Sequence, residues 1–184
     1  MSEQQTFFEE RFDTPTGEMR ILTDAEGRLR AADWEAHNDR QLARHYGVGG
    51  FRVERATRPS KARTALEAYF AGDVDAIETL ETRTGGTEFQ RAVWAALRRI
   101  PSGRTVSYAA LAADIGRPKA VRAVGLANGA NPIAVVVPCH RVIGADGTLT
   151  GYGGGLHRKR WLIDHERGGM AVADTGSAPL RPQA

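Results

Sequence analysis

The chain contains a single cysteine, Cys139, set between Pro138 and the pair His140-Arg141 at the end of an apolar run. A lone thiol has two ordinary fates. It packs as a small buried hydrophobe, or it works as a nucleophile in its thiolate form. A free thiol with a pKa of about 8.5 is only about 3% ionised at pH 7, so nucleophilic work requires a base or a positive charge close by. His140 and Arg141 are groups of those two types. Adjacent residues normally point apart, so His140 reaches the sulfur only through a bend or a bridging water. The residues by themselves leave both fates open.

Other chemistries fit less well. The five histidines (His37, His45, His140, His157, His165) and the one cysteine show no paired zinc-ligand spacing, and no metal is expected. The run Gly151-Tyr152-Gly153-Gly154-Gly155 lacks the GxxxxGK[ST] pattern of a phosphate loop and reads as a flexible closing loop. One thiol forms no intrachain disulfide. No apolar run approaches the ~20 residues that span a bilayer. The start MSEQQTFFEERF has neither the basic end nor the apolar stretch of a signal peptide. The expectation is a protein of a reducing cytoplasm, without membrane contact.

The net charge of +3 conceals an asymmetry. Residues 1–84 carry 12 Lys+Arg against 16 Asp+Glu, a balance of −4, and residues 85–184 carry 13 against 6, a balance of +7. A sign difference between halves suggests two modules, the second suited to an anionic partner, although a basic face is often merely solvated. Only Lys61, Lys119 and Lys159 are lysines; the other 22 basic residues are arginines, whose planar fork matches phosphates and bases.

The elements that must position these groups follow from turn and periodicity signals. With 184 residues, 41% of them hydrophobic, the chain can bury a core as one domain or two small ones. Strands are predicted from Phe7 to Phe12, Met19 to Thr23 and Leu29 to Trp34, separated by Thr14-Pro15-Thr16-Gly17 and Asp24-Ala25-Glu26-Gly27, as in an antiparallel meander. A helix near Asp39–Tyr46 and a strand near Phe51–Val53 come next. Pro59 to Ala71 reads as a helix with the proline in its first turn.

Thr84-Gly85-Gly86 marks a domain boundary, and Thr87-Glu88-Phe89-Gln90 fits a capping box. Phe89, Val93, Trp94, Leu97 and Ile100 continue at helical spacing up to Pro101. A short strand from Arg104 to Val106 leads to a helix from Ser107 to Asp114, a Gly116-Arg117-Pro118 turn, and a second helix from Lys119 to Asn128. Two short helices about a glycine turn are a helix-turn-helix or an ordinary helical hairpin. Ile133 to Val137 reads as a buried strand stopped by Pro138, and His157 to Glu166 as a last helix with Trp161 and Leu162 inward.

The string Pro138-Cys139-His140-Arg141-Val142 resembles the active-site motif of the methylated-DNA–protein-cysteine methyltransferases, which repair 6-O-alkylguanine. Arg122-Ala123-Val124-Gly125 resembles that family's recognition helix, and Asn131-Pro132 its hinge. Gly151-Tyr152-Gly153-Gly154 resembles its substrate loop, and Trp161-Leu162 with His165-Glu166 its final helix. The resemblance runs from about Gly85 to Glu166.

That resemblance implies a suicide enzyme without cofactor. Cys139 is then the nucleophile, His140 removes its proton through a water, Glu166 orients the imidazole, and Tyr108 helps protonate the departing base. It also implies double-stranded DNA as partner, held through the minor groove by a helix whose Ala120, Ala123 and Ala127 allow close approach. Arg122 fills the gap left by a flipped nucleotide, and Arg117 and Lys119 meet phosphates. Val142, Tyr152 and Gly153 line the alkyl pocket, and Asn131 holds the helix-turn-helix against the active-site strand. Alkylthymine is a second implied substrate. The protein is expected to be monomeric, with cooperativity on DNA left open.

Gly153 stands where relatives often have Ser or Ala, and Arg167 where they often have Gly. Two other functions compete: an alkyl-lesion binding protein without repair activity, which lacks the acceptor cysteine, and a helix-turn-helix regulator with an inert one. The fold expected is α+β. A small N-terminal antiparallel-sheet α/β domain spans 1–84, a mostly helical winged helix-turn-helix-like catalytic and DNA-binding domain spans 85–168, and 169–184 form a disordered tail.

Overall fold

In the computed structural model the described residues are 4–34 and 37–168. The tail read from residue 169 onward lies outside them. The chain divides into two units, residues 1–86 and 87–184.

In the first unit, β1 (Gln5–Thr14) and β2 (Gly17–Thr23) form an antiparallel hairpin, closed where Thr14 pairs with Gly17. β3 (Leu29–Asp33) continues the meander on β2. The chain then passes through α1 (His37–Tyr46), so β4 (Phe51–Arg55) returns parallel to β1 and the sheet order is β3-β2-β1-β4. A parallel neighbour requires such a crossover, which is why the fourth strand departs from the predicted antiparallel pattern. Phe7, Leu22, Ala31 and Leu42 form the core under Tyr46, Phe51 and Val53.

α2 (Lys61–Phe70) starts later than the sequence reading has it. Ser60 is its N-cap and accepts from the Arg63 amide, so Pro59 stands outside the first turn. The Glu10 carboxylate accepts from the Ser60 amide at 3.0 Å, where a negative charge is favoured by the helix dipole.

In the second unit, α3 (Glu88–Leu97) opens on the capping box of Thr87 and Gln90, with both reciprocal bonds made. Such caps are worth about 1 kcal/mol. Its buried face is Val93, Trp94, Ala96 and Leu97, and Trp94 donates from Nε1 to the Ala127 carbonyl at 2.9 Å. That bond joins α3 to α5 (Val121–Gly129). Between them, β5 (Val106–Ser107) ends in Ser107, the N-cap of α4 (Tyr108–Asp114). Gly116, at φ +71°, closes the end of α4 in the left-handed conformation that favours glycine, and the chain turns into α5. The first residue of α5 is Val121, so Lys119 lies in the turn before it.

The apolar run 133–137 is buried as predicted but forms no strand. It folds as consecutive tight turns, with Val136 N–H donating to the Ala134 carbonyl, Val137 N–H to the Ile133 carbonyl, and Val135 at φ +71°. A single 3-10 turn (Cys139–Arg141) follows, then β6 (Val142–Ile143), parallel to β5, and finally α6 (Leu156–Glu166). On α6, Leu162 and Ile163 are buried, whereas Trp161 is half-buried and stacked on His165 at 4.5 Å, not turned into the core as the sequence reading has it.

Candidate active site and nucleic-acid interface

Cys139 owes its position to amide side chains rather than to a strand. Asn131 accepts from the Ile133 amide through Oδ1 at 2.9 Å and donates from Nδ2 to the Val137 carbonyl at 2.7 Å. It thereby folds the 133–137 segment back on itself, correcting the picture of a hinge resting against a strand. Cys139 N–H donates to the Val137 carbonyl at 2.8 Å, and the Cys139 carbonyl accepts from Asn128 Nδ2 of α5 at 3.4 Å. Cys139 is buried, with 8% of its surface exposed.

The 3-10 turn rotates His140 into a fully buried position where its Nε2 meets Glu166 Oε1 at 2.8 Å. Glu166 comes from the last turn of α6, and the Gly103 amide donates to its Oε2 at 3.3 Å. Arg141 completes the cluster: Nε donates to Oε2 at 2.9 Å, Nη2 to Oε1 at 2.8 Å, and Nη1 to the Ile100 carbonyl at 2.6 Å. Burial alone raises the Glu166 pKa, but His140 and Arg141 overcome it and hold the carboxyl well below the usual carboxylate range. For His140 burial dominates and lowers the pKa despite Glu166, so the imidazole is neutral near pH 7. The permanent counter-charge to Glu166 is therefore Arg141. With Nε2–H held by the carboxylate, Nδ1 keeps its lone pair and has no hydrogen-bond partner among the described residues. A neutral imidazole fixed in that tautomer is a general base.

Of the residues expected to line an alkyl pocket, Val142 is fully buried, Tyr152 half-buried, and Gly153 exposed with open space where a Cβ would stand. Tyr108 begins α4, and its hydroxyl donates to the Thr150 carbonyl at 3.4 Å. Two participants escape the sequence reading. Arg141 enters it only as a charge near the thiol, not as the clamp on Glu166. Lys159 of α6 is fully buried and donates from Nζ to the Thr150 carbonyl at 2.9 Å. Its only sequence signal is rarity, as one of three lysines among 25 basic residues.

The outer face of α5 carries Arg122, Ala123 and Leu126, the last 73% exposed. Arg117 and Lys119 are exposed in the turn before it. Ala127 does not belong to this face: it is buried and its carbonyl is taken by Trp94. Ala120 precedes the helix and is half-buried. Ala123 is therefore the one alanine on the exposed face, next to Leu126 around the helix, and Ala120 and Ala127 lie off it.

Residues 88–168 match the family model described as 6-O-methylguanine DNA methyltransferase, DNA binding domain. The chain is 55% identical over 161 residues to the methylated-DNA–protein-cysteine methyltransferase of Salmonella typhimurium, spanning 86% of this chain and 94% of that one. This chain belongs to the methylated-DNA–protein-cysteine methyltransferase family. The Haemophilus influenzae protein of that name is 38% identical over 172 residues, spanning 94% and 92%. Among solved structures, Mycobacterium tuberculosis OGT in complex with DNA has a TM-score of 0.72 at 39% identity, covering 91% of this chain and 96% of that chain. The O6-methylguanine-DNA methyltransferase of Pyrococcus kodakaraensis has a TM-score of 0.66 at 26% identity, covering 87% and 98%. The two units are thus the α+β fold of a DNA repair alkyltransferase, and residues 88–168 are its DNA-binding part. Among the described residues, no helix is long and apolar enough to cross a membrane, and no His, Cys, Asp and Glu group could hold a metal ion.

Proposed function

We propose that this alkyltransferase moves the alkyl group of 6-O-alkylguanine, and of 4-O-alkylthymine, irreversibly onto Sγ of Cys139. The observation that carries the assignment is the buried His140–Glu166 contact of 2.8 Å directly beside the only thiol of the chain. His140 Nδ1 takes the thiol proton through a water. The thiolate attacks the alkyl carbon, the carbon–oxygen bond breaks, and its electron pair stays on the base oxygen. Tyr108 hydrogen-bonds to the departing base and helps protonate it. Glu166 acts on the imidazole and Arg141 on Glu166, both as positioning groups. A thioether does not return the thiolate, so each molecule acts once.

Inside a duplex the reacting oxygen is hidden, and the nucleotide must swing out at a cost of a few kcal/mol. In this reading α5 enters the minor groove, Arg122 fills the vacated stack, Ala123 allows the backbone to approach, and Arg117 and Lys119 meet phosphates. Val142, Tyr152 and Gly153 line the alkyl pocket, and Asn131 keeps the helix-turn-helix in register with Cys139. The protein acts as a monomer in a reducing cytoplasm, where a free thiol survives. Mass spectrometry after incubation with methylated duplex DNA tests the assignment. One added methyl group, mapped to Cys139, is the expected result; binding without an adduct overturns it.

A further inference from the structure

A single exposed leucine is ordinary by itself. Leu126 of α5 is set apart by where it stands. It is 73% exposed, the most exposed large apolar side chain among the described residues of the second unit. Its apolar neighbours in the chain, Val124 and Ala127, are buried. Around the helix Leu126 lies ~40° from Arg122 and ~60° from Ala123 and Gly129, and all three are exposed. Ala123 offers one methyl group, and Gly129 has open space where a Cβ would stand. The leucine therefore projects above its flanks, one turn and ~6 Å along the axis from Arg122.

We propose that Leu126 is an apolar wedge that enters the base stack beside the nucleotide to be flipped. This rests on the reading above in which α5 enters the duplex, and it adds a second inserted residue to Arg122. Proteins that bind in the minor groove commonly drive a leucine or a similar side chain between base steps, unstack them partly and kink the duplex. The two side chains divide the work by chemistry. Arg122 carries charge and donors, so it can answer the polar groups that a departed base leaves behind. Leu126 has neither. Base faces are the broad apolar surfaces of a duplex, whereas packing on phosphates or base edges would strip them of water and return no hydrogen bond. Insertion therefore turns burial of the side chain into loosening of the stack, which lowers the cost of swinging a nucleotide out. Ala123 and Gly129 keep the flanks low enough for the helix to approach. With no charge involved, the contact is indifferent to salt, unlike a phosphate contact.

The test uses the full chain and a methylated duplex carrying the fluorescent base 2-aminopurine next to the lesion, in a Cys139→Ser background that prevents transfer. Unstacking brightens this base. Leu126→Ala should bind the duplex roughly tenfold more weakly with the salt slope unchanged, and should lose most of the brightening at saturation. Leu126→Gln, similar in length but polar, should behave like Leu126→Ala, and Leu126→Met should keep both signals. Thermal unfolding should be the same in all of them, because the side chain is outside the core. Undiminished brightening in saturated Leu126→Ala, or full brightening in Leu126→Gln, overturns the proposal. So does an affinity loss accompanied by a smaller salt slope, which belongs to a phosphate contact. Neither readout needs alkyl transfer, so a wild-type chain that takes no methyl groups from DNA counts against the function and not against the wedge.

Discussion

Arg141 grips both oxygens of Glu166, at 2.9 and 2.8 Å, while His140 shares the second of them at 2.8 Å. A planar guanidinium on a carboxylate is a strong, directional pair. Here it satisfies the carboxylate without requiring a charged histidine, so the imidazole stays neutral and able to accept a proton.

Glu166→Gln should therefore act on chemistry and stability together. The variant leaves Arg141 buried without its counter-charge, a loss of about 3 kcal/mol in urea unfolding. It should slow alkyl transfer on the order of a hundredfold and raise the pH at which Cys139 reacts with iodoacetamide. Duplex affinity should hardly change, because the DNA contacts proposed above lie on α5 and the turn before it. An unaltered thiol titration and rate would remove Glu166 from the mechanism.

Stoichiometry is the second test. Each molecule should remove one alkyl group and stop, and sustained turnover without added thiol would contradict the suicide mechanism. Cys139→Ser should lose transfer yet keep most duplex affinity, since an alcohol is hardly ionised at pH 7 and the proposed phosphate contacts are elsewhere.

Arg122→Ala separates base flipping from simple charge. If Arg122 fills the vacated stack, single-turnover repair should slow on the order of tenfold in duplex DNA and much less on a single strand or the free base. A phosphate contact instead lowers affinity for all DNA and reduces the salt slope by about one unit. Equal rate losses on all three substrates would exclude the flipping role.

Acid stability follows from the two lowered pKa values. An unfolded histidine keeps a pKa of about 6.5, so the contribution of buried His140 is complete above that pH and is lost as pH falls below it. Glu166 adds a second loss below the ordinary glutamate range of about 4.3. Unfolding free energy measured by urea titration should fall between pH 7.5 and 5.5, with a limiting slope of ~1.4 kcal/mol per pH unit. His140→Gln should reduce the slope over that interval, leaving the smaller part due to half-buried His45, and keep the drop below pH 4.5.

Local signals carried much of the fold. The Thr87 capping box and the Gly116 turn depend on residues a few positions apart, and both form, whereas Ser107, read as the first residue of a helix, is its N-cap. The 133–137 run misled because β-branched residues favour pleated surfaces, whereas here Asn131 and the positive φ of Val135 bend the chain into turns. Ala123 and Ala127 lie 40° apart on a helical wheel, yet the edge of the buried face falls between them, which only the packing of Trp94 decides. Lys159 was illegible because a lysine on an amphipathic helix ordinarily faces water. Its partner, the Thr150 carbonyl, comes from the irregular segment nine residues earlier, which no periodicity places against the helix.

Arg122 and Asn128 stand six residues apart on α5, ~9 Å along its axis. One points outward and the other holds the Cys139 carbonyl. In the proposed reaction the helix is therefore a gauge bar whose two marks are the stacking plug and the acceptor. How deep the plug sits and how high the sulfur stands are one setting, not two. A single residue inserted between the marks would rotate one against the other by ~100°, leaving a protein that grips DNA and carries a reactive thiol but brings the two out of step.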